Sequence, residues 1–431
     1  MTDSMTHLDG LISRYGVIRS VSGAADTSGV GDVWTYQADL GSGFPGRGVT
    51  AHNRLLTGGR AVGDGPLARL LAIAEGAERY AANQFTTAGV VVASANALGH
   101  RERILDPARY PRCSAAEYAD PECPLRPFDP DAPIRWTKGV DLRDGGDVWV
   151  PLVMAAYRAG HAMPAEHFWS GISTGYAVHT DPAAALFGGI SEVVERDMIS
   201  LIWLQRLRPP RIPVAALPAE VRGIVAASRR RFVETVLFDA TSDVGIPLVY
   251  VVQRAPYDDV AHTLVGCGAG LTVAEAARKA LLETVGFRSV VHDDSGTGTE
   301  IDDIVAGARE MGVRERAAAF DFLLSGDDPG PAAAPWTDPG PYAADPAAAV
   351  ARAVDRLAEL DMAVVAVDRT TAELASVGLV AVNVIIPDLQ PMTFADKAQY
   401  RGHPRLYDGP ARMGYPVHPE EELSPWPQPF A

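Results

Sequence analysis

Several features that mark particular protein classes are scarce in this sequence. It has three cysteines among 431 residues, an odd number whose spacing fits neither a zinc knuckle nor a redox pair. No apolar run approaches the roughly 20 residues that span a bilayer. The first residues, 1–13, lack the basic start and apolar core of a signal peptide. We therefore expect a cytoplasmic protein with no membrane partner, whose Cys113, Cys123 and Cys267 are ordinary thiols.

Basic charge and clustered histidines are also scarce. The 38 Lys and Arg residues are outnumbered by 54 Asp and Glu, which gives a net charge of −16. Nucleic-acid binding needs a basic stripe, so no nucleic-acid partner is predicted. The closest histidines, His161 and His167, are six residues apart, too far for a helical metal-binding pair. Walker A and protein-kinase signatures are absent, which excludes those routes to nucleotide chemistry.

The composition is that of a globular chain, with 47% hydrophobic and 21% charged residues. Proline and glycine mark predicted loop excursions at 106–133 and 326–345, and a proline-rich tail at 403–431 in which no helical or strand period is visible. We predict an α+β fold of helices packed on mixed sheets. Residues 1–54 would form an N-terminal extension and 55–431 the main domain.

Two segments share one pattern of helix, apolar strand, Asp-x-Thr turn and second strand. They are Ala219–Val252 and Pro346–Pro387, in which Asp239 and Asp368 hold equivalent places. Aspartate at such a place is typical of a turn in which its side chain accepts a backbone N–H bond. We interpret the pair as a duplicated β-α-β unit and assign neither aspartate a catalytic role.

A second repeat is richer in chemistry. Three times a glycine-containing turn precedes a helical pattern that carries glutamate at a matching depth. The first two copies end in Glu-x-x-Glu-Arg, and the third keeps one glutamate with basic residues about one turn to either side. The residues are Glu75, Glu78 and Arg79; Glu192, Glu195 and Arg196; and Lys279, Glu283 and Arg288. Small residues such as Ala72, Gly189 and Ala280 would let each helix approach a neighbour closely.

Glutamates three residues apart share one helix face and repel each other. A single Glu-x-x-Glu-Arg is often only a solvated helix face. Two copies, each among apolar residues, favour carboxylates that converge on a hard cation such as Mg²⁺. The predicted metal ligands are Glu75, Glu78, Glu192, Glu195 and Glu283. Guanidinium groups suit phosphate oxygens, so Arg79, Arg196 and Arg60, with the backbone N–H groups of the glycine turns, would form a phosphate cradle.

These motifs resemble the YcaO family from about Gly59 to Ala431. The matching places are Gly59-Arg60-Ala61, both Glu-x-x-Glu-Arg motifs, Ser173-Thr174-Gly175, Asp197, Glu283 and the late segments VNVIIPDLQPMTF and PRLYDGPARMGYP. The resemblance implies ATP and Mg²⁺ as cofactors. It implies that ATP is bound by Arg60, Glu75, Glu78, Arg79, Ser173, Glu192, Glu195, Arg196, Lys279, Glu283 and Arg288. Leu71, Ala184 and Gly286 stand where the family carries serine, a carboxylate and glutamine, and Arg60 replaces lysine.

The resemblance also implies an activity. YcaO enzymes phosphorylate a peptide amide oxygen, and in azoline-forming members a Cys, Ser or Thr side chain then closes a ring and phosphate leaves. Those members end in Pro-x-Pro-x-Pro, as this chain does at Pro425, Pro427 and Pro429 before Ala431. Alternating prolines favour a stiff rod that could place the terminal carboxylate as a general base. The alternative is an ordinary frayed terminus.

Other interpretations share the same residues. The activation step could serve thioamide or amidine formation, although the proline tail disfavours a thioamide. Leu71, Ala184 and Gly286 are consistent with a catalytically impaired scaffold, and a carboxylate-bridged metallohydrolase would explain the glutamates but not the arginines or tail. The expected partners are a precursor peptide and a separate E1-like or leader-binding protein, because only some 55 residues precede the first glycine turn. The family also implies a homodimer.

Overall fold

The computed structural model describes residues 7–25, 33–40, 57–84, 89–157, 159–292, 300–325, 342 and 345–430. The strands are β1 (Ile18–Ala25), β2 (Val33–Leu40), β3 (Gly58–Val62), β4 (Val91–Ala93), β5 (Ile134–Asp141), β6 (Asp147–Pro151), β7 (Tyr176–His179), β8 (Glu234–Asp239), β9 (Leu248–Arg254), β10 (Thr263–Ala269), β11 (Val365–Asp368) and β12 (Val380–Ile385). The predicted excursion at 326–345 lies outside the described residues except for Tyr342 and Asp345.

Helices cover one face of each sheet. They are α1 (Gly65–Asn83), α2 (Ala95–Gly99), α3 (Ala115–Ala119), α4 (Leu152–Ala155), α5 (Pro182–Leu204), α6 (Ala219–Arg230), α7 (Val273–His292), α8 (Glu300–Gly312), α9 (Asp321–Leu324), α10 (Pro346–Glu359), α11 (Ala372–Ser376) and α12 (Arg405–Arg412). Short 3-10 helices lie at Asp9–Leu11, Pro107–Arg109, Pro164–Glu166, Val214–Ala216, Arg314–Phe320 and Glu420–Glu422. Within these described residues, no helix is both long and apolar enough to cross a membrane.

The strands form three sheets. Their orders are β1-β2-β3, β10-β9-β8 and β4-β5-β11-β12-β7, the last with β6 on β5. The ladders between these strands are antiparallel. Helices on several sheets confirm the predicted α+β class, whereas the predicted mixed strand directions are corrected to antiparallel ones.

The N-terminal strands belong to the main fold. β2 pairs with both β1 and β3, and Ile18 and Ala38 pack in one cluster with Ile73 and Ala77 of α1. The predicted boundary after residue 54 therefore cuts through a sheet, and the idea of a separate N-terminal extension is corrected. Ile18 of β1 and Ala38 and Leu40 of β2 are buried because α1 packs on them.

The two repeats are helix–strand–strand units. α6 precedes β8 and β9, and α10 precedes β11 and β12. Each strand pair is antiparallel, because the turn between its strands carries no crossover helix of the length that a parallel pair needs. The predicted β-α-β order is corrected accordingly. Both predicted aspartate turns are confirmed, since Asp239 accepts from Thr241 N at 3.0 Å and Asp368 accepts from Thr370 N at 2.8 Å.

The two described proline-rich regions are firmly attached. Residues 106–133 are mostly irregular, as predicted, and Glu117 fixes them by accepting from the backbone N–H groups of Gln399 and Arg401 at 2.6 and 2.8 Å. The tail is not uniformly irregular, because α12 occupies Arg405–Arg412. Buried Arg405 donates to Asp197 and Asp243, each at 2.7 Å. A buried guanidinium must be paired, so this network ties α12 to the end of the second glutamate motif.

The three glutamate helices cross their strands closely. α1 lies on β3, α5 on β7 and β12, and α7 on β10. A Cβ on Gly59 would lie 1.9 Å from the carbonyl oxygen of Ala68, and one on Gly268 would lie 2.6 Å from that of Ala276. These glycines stand in strands rather than in the predicted turns, and their missing side chains bring the strand backbone against the helices.

Candidate active site

Backbone N–H groups of the strands hold three of the predicted carboxylates. Gly58 N donates to Glu75 Oε2 at 3.1 Å, and Gly175 N donates to Glu192 Oε2 at 2.9 Å. Ala269 N likewise donates to Glu195. Charge-assisted bonds of this kind are strong and fix the acceptor. The predicted role of the glycine N–H groups is thus corrected, because those of Gly58 and Gly175 orient glutamates rather than stand free for phosphate.

The five predicted metal ligands form one electrostatic cluster. Burial, and next the charge of Glu192, raise the pKa of Glu78 well above its ordinary value. Burial, and next the charge of Glu195, raise the pKa of Glu283 to about 7. Burial also raises the pKa of Glu75 and of Glu192. Mutually perturbed carboxylates from three helices are typical of a functional site.

This cluster fits Mg²⁺ shared with phosphate. Across the described ranges, no three Asp, Glu, His or Cys side chains lie close enough to hold a metal ion by themselves. Mg²⁺ usually keeps several waters and takes one or two carboxylates together with substrate phosphate oxygens. The donors here are oxygen-only, half-buried and like-charged. A divalent cation would offset their repulsion.

Two arginines stand beside the carboxylates with part of their donors unused. Arg79 lies 3.8 Å from Glu75, and Arg196 lies 3.6 Å from Glu192. Arg79 also donates to Ser173 Oγ at 2.5 Å, which brings the predicted serine turn to the cluster. The Nε atoms of both arginines and Nη1 of Arg196 are buried and have no hydrogen-bond partner in the described structure. Buried unpaired donors indicate a missing acceptor, and phosphate oxygens suit them.

Arg60 and Gly286, both departures from the family pattern, fit each other. Burial lowers the pKa of Arg60, while the charges of Glu75 and Glu283 raise it. Its Nε is buried and unpaired among the residues described. A Cβ on Gly286 would lie 1.9 Å from that Nε and 2.2 Å from Cζ. The longer guanidinium side chain of Arg60 therefore occupies the space beside α7 that any side chain at 286 would need.

Gly286→Ala is expected to displace Arg60 and raise the KM for ATP. Loss of one charge-assisted hydrogen bond corresponds to a rise of about 10- to 100-fold. Lysine has no planar, branched guanidinium and its flexible chain can turn away from a new Cβ, so adding Arg60→Lys should bring the KM of Gly286→Ala back toward that of Arg60→Lys alone. Gly223→Ala is the matched control, because a Cβ there meets nothing within 4 Å. Strictly additive effects of the two changes in steady-state kinetics would contradict this account.

The two remaining basic residues of the prediction, Lys279 and Arg288, lie in different parts of the structure. Lys279 donates to the carbonyl oxygen of Ala269 at 3.1 Å, and the N–H of Ala269 holds Glu195, so Lys279 lies at the edge of the cluster. Arg288 instead donates to the carbonyl oxygen of Ala261 at 2.5 Å and pairs with Asp258 at 3.4 Å. Five residues beyond Glu283 is about 140° around the helix. The prediction that Arg288 binds the cofactor is corrected, because its contacts lie in a different loop.

A cleft of about 410 Å³ opens over the first two glutamate helices. This volume is within the usual range of small-molecule sites, about 300–1,000 Å³. Its lining includes Gly58, Gly59, Arg60, Leu71, Ala74, Glu75, Glu78, Tyr176, Gly188 and Glu192. Leu71, the first family departure, thus faces the cleft, whereas Ala184 is not among its lining residues.

The C-terminal tail is anchored up to Phe430, and its residues 428–430 are buried. Trp203 Nε1 donates to the carbonyl oxygen of Trp426 at 3.1 Å, and a Cβ on Gly307 would lie 2.2 Å from the carbonyl oxygen of Gln428. The ring of Phe430 packs edge-on against Tyr250, with centroids 5.4 Å apart. Pro425, Pro427 and Pro429 lie along this anchored stretch. Ala431, the predicted catalytic terminus, lies outside the described residues.

Cys267 links the tail to the cluster, a role that the sequence analysis missed. It is the register partner of Tyr250, which contacts Phe430. Burial raises the pKa of the Cys267 thiol, and the charges of Glu195 and Glu283 raise it further. Two side chains, Tyr250 and Cys267, therefore lie between Phe430 and the glutamates. The signal in the sequence was the glycine-flanked strand GCGAG directly before α7.

Fold and site together define an α+β protein with an acidic, arginine-lined cleft suited to Mg²⁺ and a nucleotide. Residues 64–390 match the family of YcaO cyclodehydratases, described as ATP- and Mg²⁺-binding. The match covers most of the chain, and the chain therefore belongs to the YcaO cyclodehydratase family. The description of this family confirms the predicted cofactors, ATP and Mg²⁺.

Three similar proteins illustrate the relationship. An uncharacterised protein in the tfuA 3′ region of Rhizobium leguminosarum bv. trifolii is 30% identical over 168 residues, 36% of this chain and 39% of its own length. A heterocyclase in complex with substrate and cofactor superposes with a TM-score of 0.81 at 20% identity, over 99% of this chain and 57% of that one. A chain of the E. coli microcin synthetase complex McbBCD with pro-MccB17 bound superposes with a TM-score of 0.66 at 14% identity, over 98% of both chains. This chain thus spans well under two thirds of the first two proteins.

Binding of Mg²⁺ with ATP is expected to release protons near neutral pH. With a pKa of about 7, Glu283 is partly protonated there, and a cation favours its ionised form. Affinity should therefore fall as the pH drops below 7. In the protein without ligand, the raised pKa of Glu283 contributes to folding stability in full below about pH 4.5, and this contribution is lost as the pH rises through 7.

Calorimetry in two buffers of different ionisation enthalpy measures the protons released on binding of Mg²⁺ with ATP. An undiminished release in Glu283→Gln would rule out Glu283 as its source.

Proposed function

We propose that the chain activates backbone amides of a ribosomally made peptide with ATP and closes Cys, Ser or Thr side chains into azolines. Two features together support this most strongly. Glutamates of the first two motif helices and Arg60 line a nucleotide-sized cleft, and Phe430 at the described end of the proline tail packs against Tyr250 of β9. Nucleotide chemistry and a positioned chain terminus are both needed for ring closure.

In this proposal each charged group has a task. Glu75, Glu78, Glu192, Glu195 and Glu283 would hold Mg²⁺ ions together with phosphate oxygens, one or two carboxylates to each ion, and the metal would offset the charge of the triphosphate. The unpaired donors of Arg79 and Arg196 would bind phosphate oxygens, and Ser173 keeps Arg79 in place. The backbone N–H bonds to three of the glutamates hold the carboxylates ready before substrate binds. Preorganised charges of this kind stabilise the charge that develops on the phosphoryl group.

The reaction balances without a further reagent. The amide oxygen attacks the γ-phosphorus of ATP and ADP leaves. The side-chain sulfur or oxygen of Cys, Ser or Thr then attacks the amide carbon and gives up its proton to a base. Loss of the amide N–H proton and departure of phosphate form the C=N bond of the azoline. The original amide oxygen leaves in the phosphate, so ATP and peptide become azoline, ADP and phosphate.

The tail supports the azoline branch. Its described end is held in place by buried Pro429 and by the contact of Phe430 with Tyr250. We assign the terminal carboxylate of Ala431 as the base that accepts the proton of the attacking side chain. The thioamide and amidine alternatives have no feature of comparable specificity among the described residues. The impaired-scaffold alternative is weakened because Arg60 compensates for Gly286.

A second protein that delivers the precursor is part of the proposal. The similar microcin synthetase is a complex, McbBCD, with its peptide pro-MccB17 bound. We infer that an E1-like or leader-binding protein works with this chain in the same way, and that the chain forms a homodimer in the cytoplasm. Pull-down of the precursor with and without this protein would test the delivery step.

The test of the proposal is ATP turnover and product mass with precursor and partner present. Azoline formation predicts peptide-dependent ATP consumption and the loss of one water per ring. Exchange of oxygen for sulfur would instead add the mass difference of the two atoms and indicate a thioamide. ATP consumption that does not respond to the peptide would indicate a scaffold.

A further inference from the structure

A turn of three residues separates the acidic cleft from a second, apolar pocket. Ser173 accepts a hydrogen bond from Arg79 beside the glutamates of the cleft, and the N–H of Gly175 holds Glu192. Thr174, between them, borders a pocket of about 60 Å³ on the other side. The pocket walls are the apolar side chains of Met154, Ile172, Val193, Val384, Ile386 and Met392.

Polar atoms without partners lie at this pocket. Thr174 Oγ1, Gln390 Oε1 and Nη1 of Arg196 are buried and unpaired within the described structure. The side chain of Gln390, 1% exposed, is held by its Nε2, which donates to the carbonyl oxygen of Gln399 at 3.1 Å. Its Oε1 is thereby left as an acceptor. An apolar pocket with a few convergent polar groups is the usual form of a specificity pocket, and a lone buried acceptor suits a peptide N–H.

Arg196 connects the two cavities. It lies 3.6 Å from Glu192 of the acidic cleft and also lines the apolar pocket. Phosphoryl transfer requires the reacting atoms within about 3–3.5 Å of each other, and one residue of extended chain spans about 3.3–3.6 Å. A peptide whose amide meets the phosphates at Arg196 therefore places the side chain of an adjacent residue at the pocket.

We propose that this pocket binds an aliphatic side chain of the substrate residue next to the activated amide. The proposal rests on the proposed function, because it takes the substrate to be a peptide. A buried water molecule needs about 10–15 Å³ of cavity volume. The 60 Å³ of this pocket therefore accommodates about four to six water-sized groups, such as methyl or methylene groups. Val, Leu, Ile or Met side chains fit this volume, whereas an indole ring does not. The pocket thus selects which neighbours of Cys, Ser or Thr are processed.

Methionine-methyl NMR of the full chain tests the proposal without ATP or precursor. Met154 and Met392 report on the pocket, and Met154→Leu and Met392→Leu assign their signals among the nine methionines. N-acetyl-leucine N-methylamide should shift both methyls saturably, and the glycine analogue should do so at least several-fold more weakly. Ile172→Phe, which fills the pocket, should abolish the shifts. Ile172→Val, and Val92→Phe at an exposed position outside the pocket, should preserve them.

Several outcomes would overturn the proposal. They are no saturable shift with the leucine probe, an equal response to the glycine probe, or selective shifts with adenosine, which would assign the pocket to the nucleotide base. A folded Ile172→Phe variant that still binds would also overturn it. Because the probe needs neither nucleotide nor precursor, binding with no peptide-dependent ATP consumption would refute the proposed function and leave the pocket standing.

Discussion

Glu192→Gln is expected to reduce peptide-dependent ATP consumption by about 10²–10³-fold, the effect typical of losing one preorganised electrostatic group. Glu192 lines the cleft, accepts from Gly175 N and lies near the second arginine. It also raises the pKa of Glu78 on the facing helix. An uncharged amide at this position would remove one predicted metal ligand and would also remove the ion pair of Arg196.

The measurement is the rate of phosphate release at saturating precursor and increasing Mg²⁺. Glu234→Gln is a matched control, because this glutamate is exposed on β8 and pairs only with Arg254 in the described residues. It should retain the wild-type rate. A Glu192→Gln variant with an unchanged rate and unchanged Mg²⁺ dependence would remove Glu192 from the metal site.

Adding two glycines after Ala431 is expected to lower ring formation by about 10²-fold or more, the contribution typical of a positioned general base. The addition moves the terminal carboxylate by up to about 7 Å. It leaves the buried contacts of Trp426 and Phe430 in place, so the tail should stay docked. The KM for ATP should not change, since the cleft is lined by other residues.

Quantitative mass spectrometry of the product measures ring formation, and two glycines added before Met1 serve as the control. Normal ring formation by the C-terminally extended chain would show that the carboxylate is not the base. A parallel rise in the KM for ATP would instead place the terminus in the nucleotide site.

Much of the site was predictable because its chemistry is periodic in the sequence. Glutamates three residues apart must share a helix face. The Glu-x-x-Glu-Arg motif occurs twice, beginning at Glu75 and at Glu192, and this repeated spacing by itself indicates a shared function. The α+β class and the turns at Asp239 and Asp368 follow from apolar runs and local turn chemistry in the same way. Each of these inferences needs only neighbouring residues.

The errors concern groups whose partners are distant in sequence. Arg288 was placed by its proximity to Glu283, but its partner Asp258 lies 30 residues earlier. The glycine at Gly59 is predicted to lie in a turn, yet pairing with β2 makes it part of a strand. The N-terminal strands were assigned to an extension because their pairing with β3 has no local signature. The fit of Arg60 to Gly286 spans more than 200 residues and is visible only in three dimensions.

The most direct test of the central claim follows the oxygen atom of the activated amide. A precursor carrying heavy oxygen in the amide before its reactive Cys or Ser is incubated with the chain, its partner protein, Mg²⁺ and ATP. If the chain activates the amide by phosphorylation, the released phosphate carries the heavy oxygen, one atom for each ring formed. Ring formation with unlabelled phosphate would contradict the account, because ATP would then be hydrolysed without activating the amide.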